Sequence, residues 1–172
     1  MILVISTCED KLSELEFVRP IELLAGTCVT KHCTSVTQKD IASADKIIIT
    51  GTALKDFDYL QADWNWLKTT GKPVLGICAG MQVIAQAFGV QLEDFVTIGP
   101  RRVKVAKENL LVSGEFEAYF LHTKTAAKGF DVLATTDGKP CIVQIAGKHV
   151  YGCIFHPEVM NEGIIRNFVQ SA

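Results

Sequence analysis

The sequence predicts an α/β fold: three layers, with a mostly parallel central sheet, helices on both faces and a strand-rich second half. Three observations carry this. Short, almost purely apolar runs such as "MILVIS", "KIIIT" and "PVLGI" have the length and composition of buried strands. In the first hundred residues these runs alternate with helical stretches, the rhythm of a parallel sheet wrapped on both sides. After that point strands follow one another at short intervals, separated by turns.

Taken in order, "MILVIS" is the opening strand and "SELEFVRPIELLAG" a helical stretch that Pro20 kinks or splits, because proline has no N–H to donate and clashes with the preceding turn. "TCVTKH" and "DKIIITG" are strands. "DYLQADWNWLKTTG" reads as one helix ending at Gly71, with Pro73 just beyond. Trp64 and Trp66, two apart on such a helix, cannot share a face, so one is expected in the core and the other outside. "PVLGI" is a strand and "AGMQVIAQAFG" the helix after it. In "RRVKVA" the valines face inward and the charges outward. "FEAYFLH", "DVLATT", "CIVQIAG" and "HVYGCIFH" are strands, with a turn at Thr136-Asp137-Gly138. "NEGIIRNFVQ" closes as a helix with Ile164, Ile165, Phe168 and Val169 on one face.

No repeat or linker interrupts the 172 residues, so a single domain over 1–172 is expected. A formal net charge of −2 gives no pull toward nucleic acid or an anionic membrane surface. The start turns acidic at once and has no basic leader, and the apolar stretch from Val74 to Val90 is broken by Gln82 and Gln86. A cytoplasmic protein without membrane contact is the expectation. The six cysteines include no Cys-x-x-Cys, so a disulfide framework is not expected. Cys141 and Cys153 lie in apolar runs and read as buried thiols. Cys28, His32 and Cys33 lie close together but lack four-ligand spacing, so no metal is expected.

The stretch "PVLGICAGMQVIAQAF", Pro73 to Phe88, places a cysteine between a strand and a helix, with a glycine two residues away on each side. A tight strand-to-helix turn brings two backbones together, and side chains at Gly76 and Gly80 would collide there. The turn lifts Cys78 into the open beside the first helix amides, which favour negative charge on sulfur. The amide of Ala79 then faces the place where an oxyanion forms. A thiol nucleophile needs a base, and the base an orienting group. Of four histidines, His32 and His149 lie in polar, turn-like surroundings. His156 ends an apolar strand, and Pro157 keeps it out of helical conformation. In an extended segment Glu158 falls on the same side as His156 and can accept its second ring proton.

"GICAGMQ", followed far downstream by "FHPEV", resembles the class I, triad-type glutamine amidotransferases. The resemblance spans nearly the whole chain and includes the opening strand, the glycine after "KIIIT" and a histidine segment at "YFLHT". It implies a flavodoxin-like core and no cofactor. It further implies that Cys78 attacks the carboxamide of L-glutamine, His156 moves the proton and Glu158 orients His156. By the same resemblance, amides of Ala79 and near Gly51 form the oxyanion hole, and Gln82, His122 and Thr123 contribute to the glutamine pocket. Three departures stand out: Thr52 in place of a second glycine with no proline after it, Leu121 before His122 where a small polar residue is usual, and an opening "VISTCEDKLSELEF" without the usual small polar turn.

Members of this family deliver ammonia to a synthase. With the chain closing soon after its last helix, that synthase is expected to be a separate subunit. Met81 and "HPEV" lean toward the guanylate (GMP) synthetase branch, although anthranilate, aminodeoxychorismate and imidazole-glycerol-phosphate systems use similar elbows. The basic stretch of Arg101, Arg102, Lys104 and Lys107 is equally compatible with a docking surface and a plain solvated strand. Two other readings stay open: a γ-glutamyl peptidase or hydrolase using the same thioester chemistry, and a non-catalytic regulatory relative with an idle triad.

Overall fold

The computed structural model describes residues 1–126 and 128–172. Five strands are laid parallel: β1 (Ile2–Ser6), β2 (Cys28–His32), β3 (Lys46–Ile49), β4 (Val74–Ile77) and β9 (Val150–Cys153), in the order β2-β1-β3-β4-β9, with β2 at the edge. All five residues of β1 and all four of β4 and β9 are buried, as strands covered on both faces must be. The sheet continues beyond β9 through β8 (Lys139–Gln144), β7 (Asp131–Thr136), β5 (Glu93–Val105) and β6 (Glu115–Thr125), all antiparallel. The strand-rich second half thus extends the parallel sheet rather than forming a layer of its own. β7 and β8 are joined by Asp137 and Gly138, both at positive φ (49° and 74°), the backbone that a two-residue hairpin with matching twist requires.

Alternation along the parallel strands divides the apolar side chains between the two faces. Ile2, Val4, Ile48 and Leu75 meet Phe17 of α1 (Lys11–Phe17), Ile21 of α2 (Arg19–Ala25), and Ile164, Ile165 and Phe168 of α7 (Glu162–Gln170). Leu3, Ile5, Ile47, Ile49 and Val74 meet Ile41 of α3 (Gln38–Ser43), Trp66 and Leu67 of α4 (Trp66–Thr69), and Val83 and Ile84 of α5 (Ala79–Ala87). Pro20 splits the first helical stretch, with Val18 serving as C-cap of α1 and N-cap of α2.

Two expectations need correction. "DYLQADWNWLKTTG" is not one helix but a 3-10 turn at Asp58–Gln61, an extended Ala62, and the short α4. Asp63 takes the backbone N–H of Asn65 at 2.9 Å, a local turn that competes with helix, and the Trp64 indole donates to the Tyr59 carbonyl at 2.7 Å. With the helix broken, Trp64 and Trp66 both turn inward, their ring centroids 6.2 Å apart, and neither is exposed. The other correction concerns α3 and the first half of β5, which periodicity along the chain does not reveal. α3 carries a legible signal, the Thr37/Asp40 capping box. β5 has a register irregularity between Asp94 and Thr97 that blurs its alternation. In "RRVKVA", Val103 is buried and Val105 half-buried, while Arg101, Arg102 and Lys104 are exposed. No helix among the described residues is long and apolar enough to cross a membrane.

Candidate active site

The carboxyl ends of β3, β4 and β9 lie side by side, since Ile49 pairs with Gly76 and Ile77 with Cys153. Each strand runs on into one of the residues singled out above: Gly51 after β3, Cys78 after β4 and His156 after β9. This rim is where open α/β sheets collect ligands. Positions far apart in the chain are therefore neighbours because their strands are.

At the end of β4 the chain turns sharply into α5. Cys78 has φ 49° and ψ −100°, a left-handed conformation that costs a non-glycine residue on the order of 1–3 kcal/mol. Its N–H donates to the Cys153 carbonyl at 2.7 Å, which ties the turn to β9. A Cβ on Gly76 would lie 2.5 Å from the Gly80 backbone, and one on Gly80 2.4 Å from the Ile49 carbonyl oxygen, so the flanking glycines are steric requirements. The Cys78 thiol donates to the Leu121 carbonyl at 3.5 Å. Leu121 thus meets the sulfur through its backbone, and the identity of its side chain matters less there than the sequence departure suggested.

His156 is held by its own N–H, which donates to the Tyr119 carbonyl at 2.8 Å, and its ring lies 5.5 Å from that of Phe17. Its Nδ1 meets Glu158 Oε1 at 2.8 Å in a pair whose side chains are 1% and 2% exposed. Pro157 does keep His156 out of helical conformation, at φ −105° and ψ 88°. Glu158, however, lies in the first turn of a short helix, α6 (Pro157–Met160), not in an extended segment. The one-turn approach brings the carboxylate to the ring just as well. Burial by itself disfavours the imidazolium. Negative charge on Cys78 once its thiol ionises, with the hydrogen bond to Glu158 and the Glu158 charge, outweighs it, so His156 is held well above the ordinary histidine range. Its Nε2 has no hydrogen-bond partner among the described residues.

Gly51 is the floor beneath both groups. A Cβ there would fall 2.6 Å from His156 Cε1 and 3.4 Å from the Cys78 Cβ. The Thr7 hydroxyl lies 3.0 Å from the Thr50 carbonyl and 3.2 Å from that of Gly51, fixing the peptides on either side. Ala79 is the first residue of α5, and the N–H groups of a helix's first turn have no acceptor within the helix.

Cys78, Ala79, Gln82, His122 and Thr123 line one narrow cleft of about 230 Å³ including its open mouth. A wider groove, about 760 Å³ on the same measure, runs beside Trp64, Asn65 and Gln86. It holds no nucleophile or histidine, so the chemistry favours the narrower one. Gln82 is engaged at both ends: the Tyr59 hydroxyl donates to its Oε1, and its Nε2 donates to the Lys124 carbonyl at 3.0 Å. His122 is buried between Phe95 and Phe120, with Nδ1 unpartnered, and burial pushes its pKa down to about 4. It is neutral at physiological pH. Cys141 and Cys153 are wholly buried, and burial pushes the Cys141 thiol up to about 12, as suits inert core cysteines. His32 is occupied at both ring nitrogens, by Thr34 at 2.7 Å and the Cys8 carbonyl at 2.9 Å.

Sequence reasoning missed two polar residues of the cleft, Asp56 and Tyr59, and the apolar Ala53, Leu54 and Phe57 beside them. All lie in the irregular stretch after β3, where no periodicity assigns a side chain to a face.

The glutamine amidotransferase class-I family profile matches residues 24–169. Among curated relatives, a GMP synthase [glutamine-hydrolyzing] of Synechococcus sp. is 29% identical over 186 residues, covering 97% of this chain and 34% of the relative. The same enzyme of Aquifex aeolicus is 31% identical over 112 residues, covering 58% of this chain and 22% of the relative. The chain therefore spans about a third or less of the length of these relatives. Among solved structures, a Thermoplasma acidophilum protein assigned to the GMP synthases superimposes with a TM-score of 0.82 at 20% identity, over 98% of this chain and 91% of that one. That likeness shows a common fold, and the profile, matching most of the chain, shows the family: this chain belongs to the class-I glutamine amidotransferases.

Proposed function

We propose that the chain hydrolyses L-glutamine to glutamate and ammonia through a thioester on Cys78, and that the ammonia serves a synthase carried on a separate subunit, of the kind that forms GMP. The observation that carries this reading is the meeting of Cys78 and His156 over Gly51, with Glu158 at 2.8 Å from the far side of the imidazole. The family and the GMP synthase relatives support it.

In this scheme the Cys78 thiol proton passes to His156 Nε2, the ring nitrogen that has no partner among the described residues. The sulfur attacks the side-chain carbonyl carbon of glutamine, and the carbonyl oxygen takes the negative charge. The N–H groups of Ala79 and Gly51 receive that oxyanion, and each such donor is worth about 3 kcal/mol of barrier. Collapse breaks the carbon–nitrogen bond as His156 returns the proton to the leaving nitrogen, releasing ammonia. Water, deprotonated by His156, then attacks the thioester carbonyl. Glutamate leaves and the sulfur regains its proton. Throughout, Glu158 accepts the Nδ1–H, which fixes the tautomer and stabilises the imidazolium. A thiol that donates to the Leu121 carbonyl needs only a rotation about its Cα–Cβ bond to redirect the sulfur.

The test is covalent labelling by a diazo-ketone analogue of glutamine, with the adduct mapped by peptide mass. A single adduct at Cys78, together with ammonia release that rises when a GMP-forming synthase is added, is expected. Labelling at Cys141 or Cys153, or none, would overturn the proposal.

A further inference from the structure

Asp56 has no role in the scheme above, yet it lines the same cleft as Cys78, Gln82 and His122. Its side chain is 2% exposed. The two oxygens of its carboxylate are treated unequally. Oδ2 accepts from the Thr52 hydroxyl at 2.6 Å and from the Glu9 N–H at 3.1 Å. Oδ1 is buried and has no hydrogen-bond partner among the described residues. A carboxylate can accept about four hydrogen bonds, and one left half-satisfied in a buried place is costly until a donor completes it.

The surroundings hold that carboxylate firmly in place. Glu9 Oε1 accepts the N–H groups of Phe57 at 3.0 Å and Asp58 at 3.1 Å, tying the segment after β1 to the segment that carries Asp56. The Asp56 N–H donates to the Ala53 carbonyl at 3.0 Å. Thr52, which departs from the family's usual second glycine, helps the Glu9 N–H to clamp Oδ2, while Oδ1 is left without a partner among the described residues. Such pre-organisation is what a binding group needs.

The charge balance of the cleft says what Oδ1 would take. Among the described residues that line it, Asp56 is the one acidic side chain, no lysine or arginine faces it, and His122 is neutral. Of the other polar side chains there, Gln82 has its amide engaged by Tyr59 and Lys124, and the Thr52 hydroxyl donates to Asp56 itself. An amino-acid substrate with its side-chain carboxamide at Cys78 brings one cationic group, the α-ammonium, with three donors.

We infer that Asp56 Oδ1 binds the α-ammonium group of the substrate and makes a free α-amino group a condition for productive binding. This rests on the proposed hydrolysis of a γ-carboxamide at Cys78. The residue does not touch the reacting carbonyl, so its effect falls on recognition.

The experiment compares the rates at which Cys78 is labelled by the diazo-ketone glutamine analogue, by its desamino counterpart and by iodoacetamide, in the wild-type chain and in Asp56→Asn. Asparagine keeps an acceptor for Thr52 and Glu9 but places an amide where Oδ1 stood. The wild type should prefer the amino-bearing reagent by about tenfold or more, as expected for a charge-assisted hydrogen bond. Asp56→Asn should remove most of that preference while iodoacetamide labelling and the melting temperature change little. Persistence of the full preference in Asp56→Asn overturns the inference and leaves glutamine hydrolysis standing. Absence of any preference in the wild type overturns it too, without need of a folded variant. If iodoacetamide labels Cys78 but neither diazo-ketone does, the proposed function itself fails, and this inference with it.

Discussion

Replacing His122 with phenylalanine should flatten the acid side of the stability profile. His122 is 3% exposed, lies 6.3 and 6.0 Å from the Phe95 and Phe120 rings, and leaves Nδ1 unpartnered, so an aromatic hydrocarbon suits the site. Burial is the main cause of its depressed pKa of about 4, against 6.5 for an ordinary histidine; backbone groups of Phe95 and Lys124 oppose it weakly and the charge on His156 adds to it. The difference, 6.5 − 4, is about 2.5, or about 3 kcal/mol at ~1.4 kcal/mol for each pH unit. The sign follows from which state binds the proton. Above pH 6.5 neither state does, and His122 contributes nothing to pH dependence. As pH falls below that value, the unfolded chain takes up a proton that the folded protein refuses, and stability is lost until the folded group titrates near pH 4. At pH 5 the loss is about 2 kcal/mol, roughly a 1 M shift of a urea midpoint for a chain of this size. His156 has the opposite sign: its raised pKa contributes stability that is fully present below pH 6.5 and lost as pH climbs through its folded value. Being common to both proteins, that contribution largely cancels in the difference. The assay is urea unfolding of wild type and His122→Phe at several pH values from 7.5 to 4.5. Parallel profiles would show that His122 is protonated in the folded state and that the burial argument is wrong.

Two further outcomes follow from the same geometry. Gly51→Ala sets a Cβ 2.6 Å from His156 Cε1, so the imidazole must move by nearly an ångström; glutaminase turnover should fall on the order of 100-fold with the fold retained, read by ammonia release beside a melting curve. Because the charge on Cys78 is the largest influence holding His156 up, Cys78→Ala should move the His156 titration to lower pH, which ring-proton NMR across pH 5 to 10 would detect; an unmoved titration would mean that sulfur and imidazole do not interact.

Much of the site is legible in the chain because its logic is local. The glycines at 76 and 80 bracket Cys78 at the spacing a crowded strand-to-helix turn demands, and the clash of each would-be Cβ is with residues a few positions away or on the next strand. His156 and Glu158 are two residues apart, with a proline between them that rules out continuous helix, so their contact is nearly encoded by spacing even though Glu158 turned out to open a helix. The predicted parallel strands hold for a similar reason: a run of adjacent apolar residues can be satisfied only where both faces are covered.

Where local rules compete or fall silent, packing decides. The Trp64–Trp66 segment has helical composition, but burying two indoles in one cluster favours a broken chain with both rings inward over a helix that would expose one of them. Nothing in "TALKDFDY" says which side chain faces the nucleophile, because irregular backbone has no period. Asp56 reaches the cleft through a hydroxyl at Thr52 and a backbone tie to Glu9, the latter 47 residues away in sequence. The sequence by itself determined the elbow, the histidine–carboxylate pair and the alternating α/β core, all set by steric and hydrogen-bonding rules that act over a few residues. Only the tertiary structure decided that β9 lies against β4, which brings His156 to Cys78, and that a half-satisfied carboxylate faces the same cleft, since strand order and loop direction come from how the whole chain buries its apolar surface.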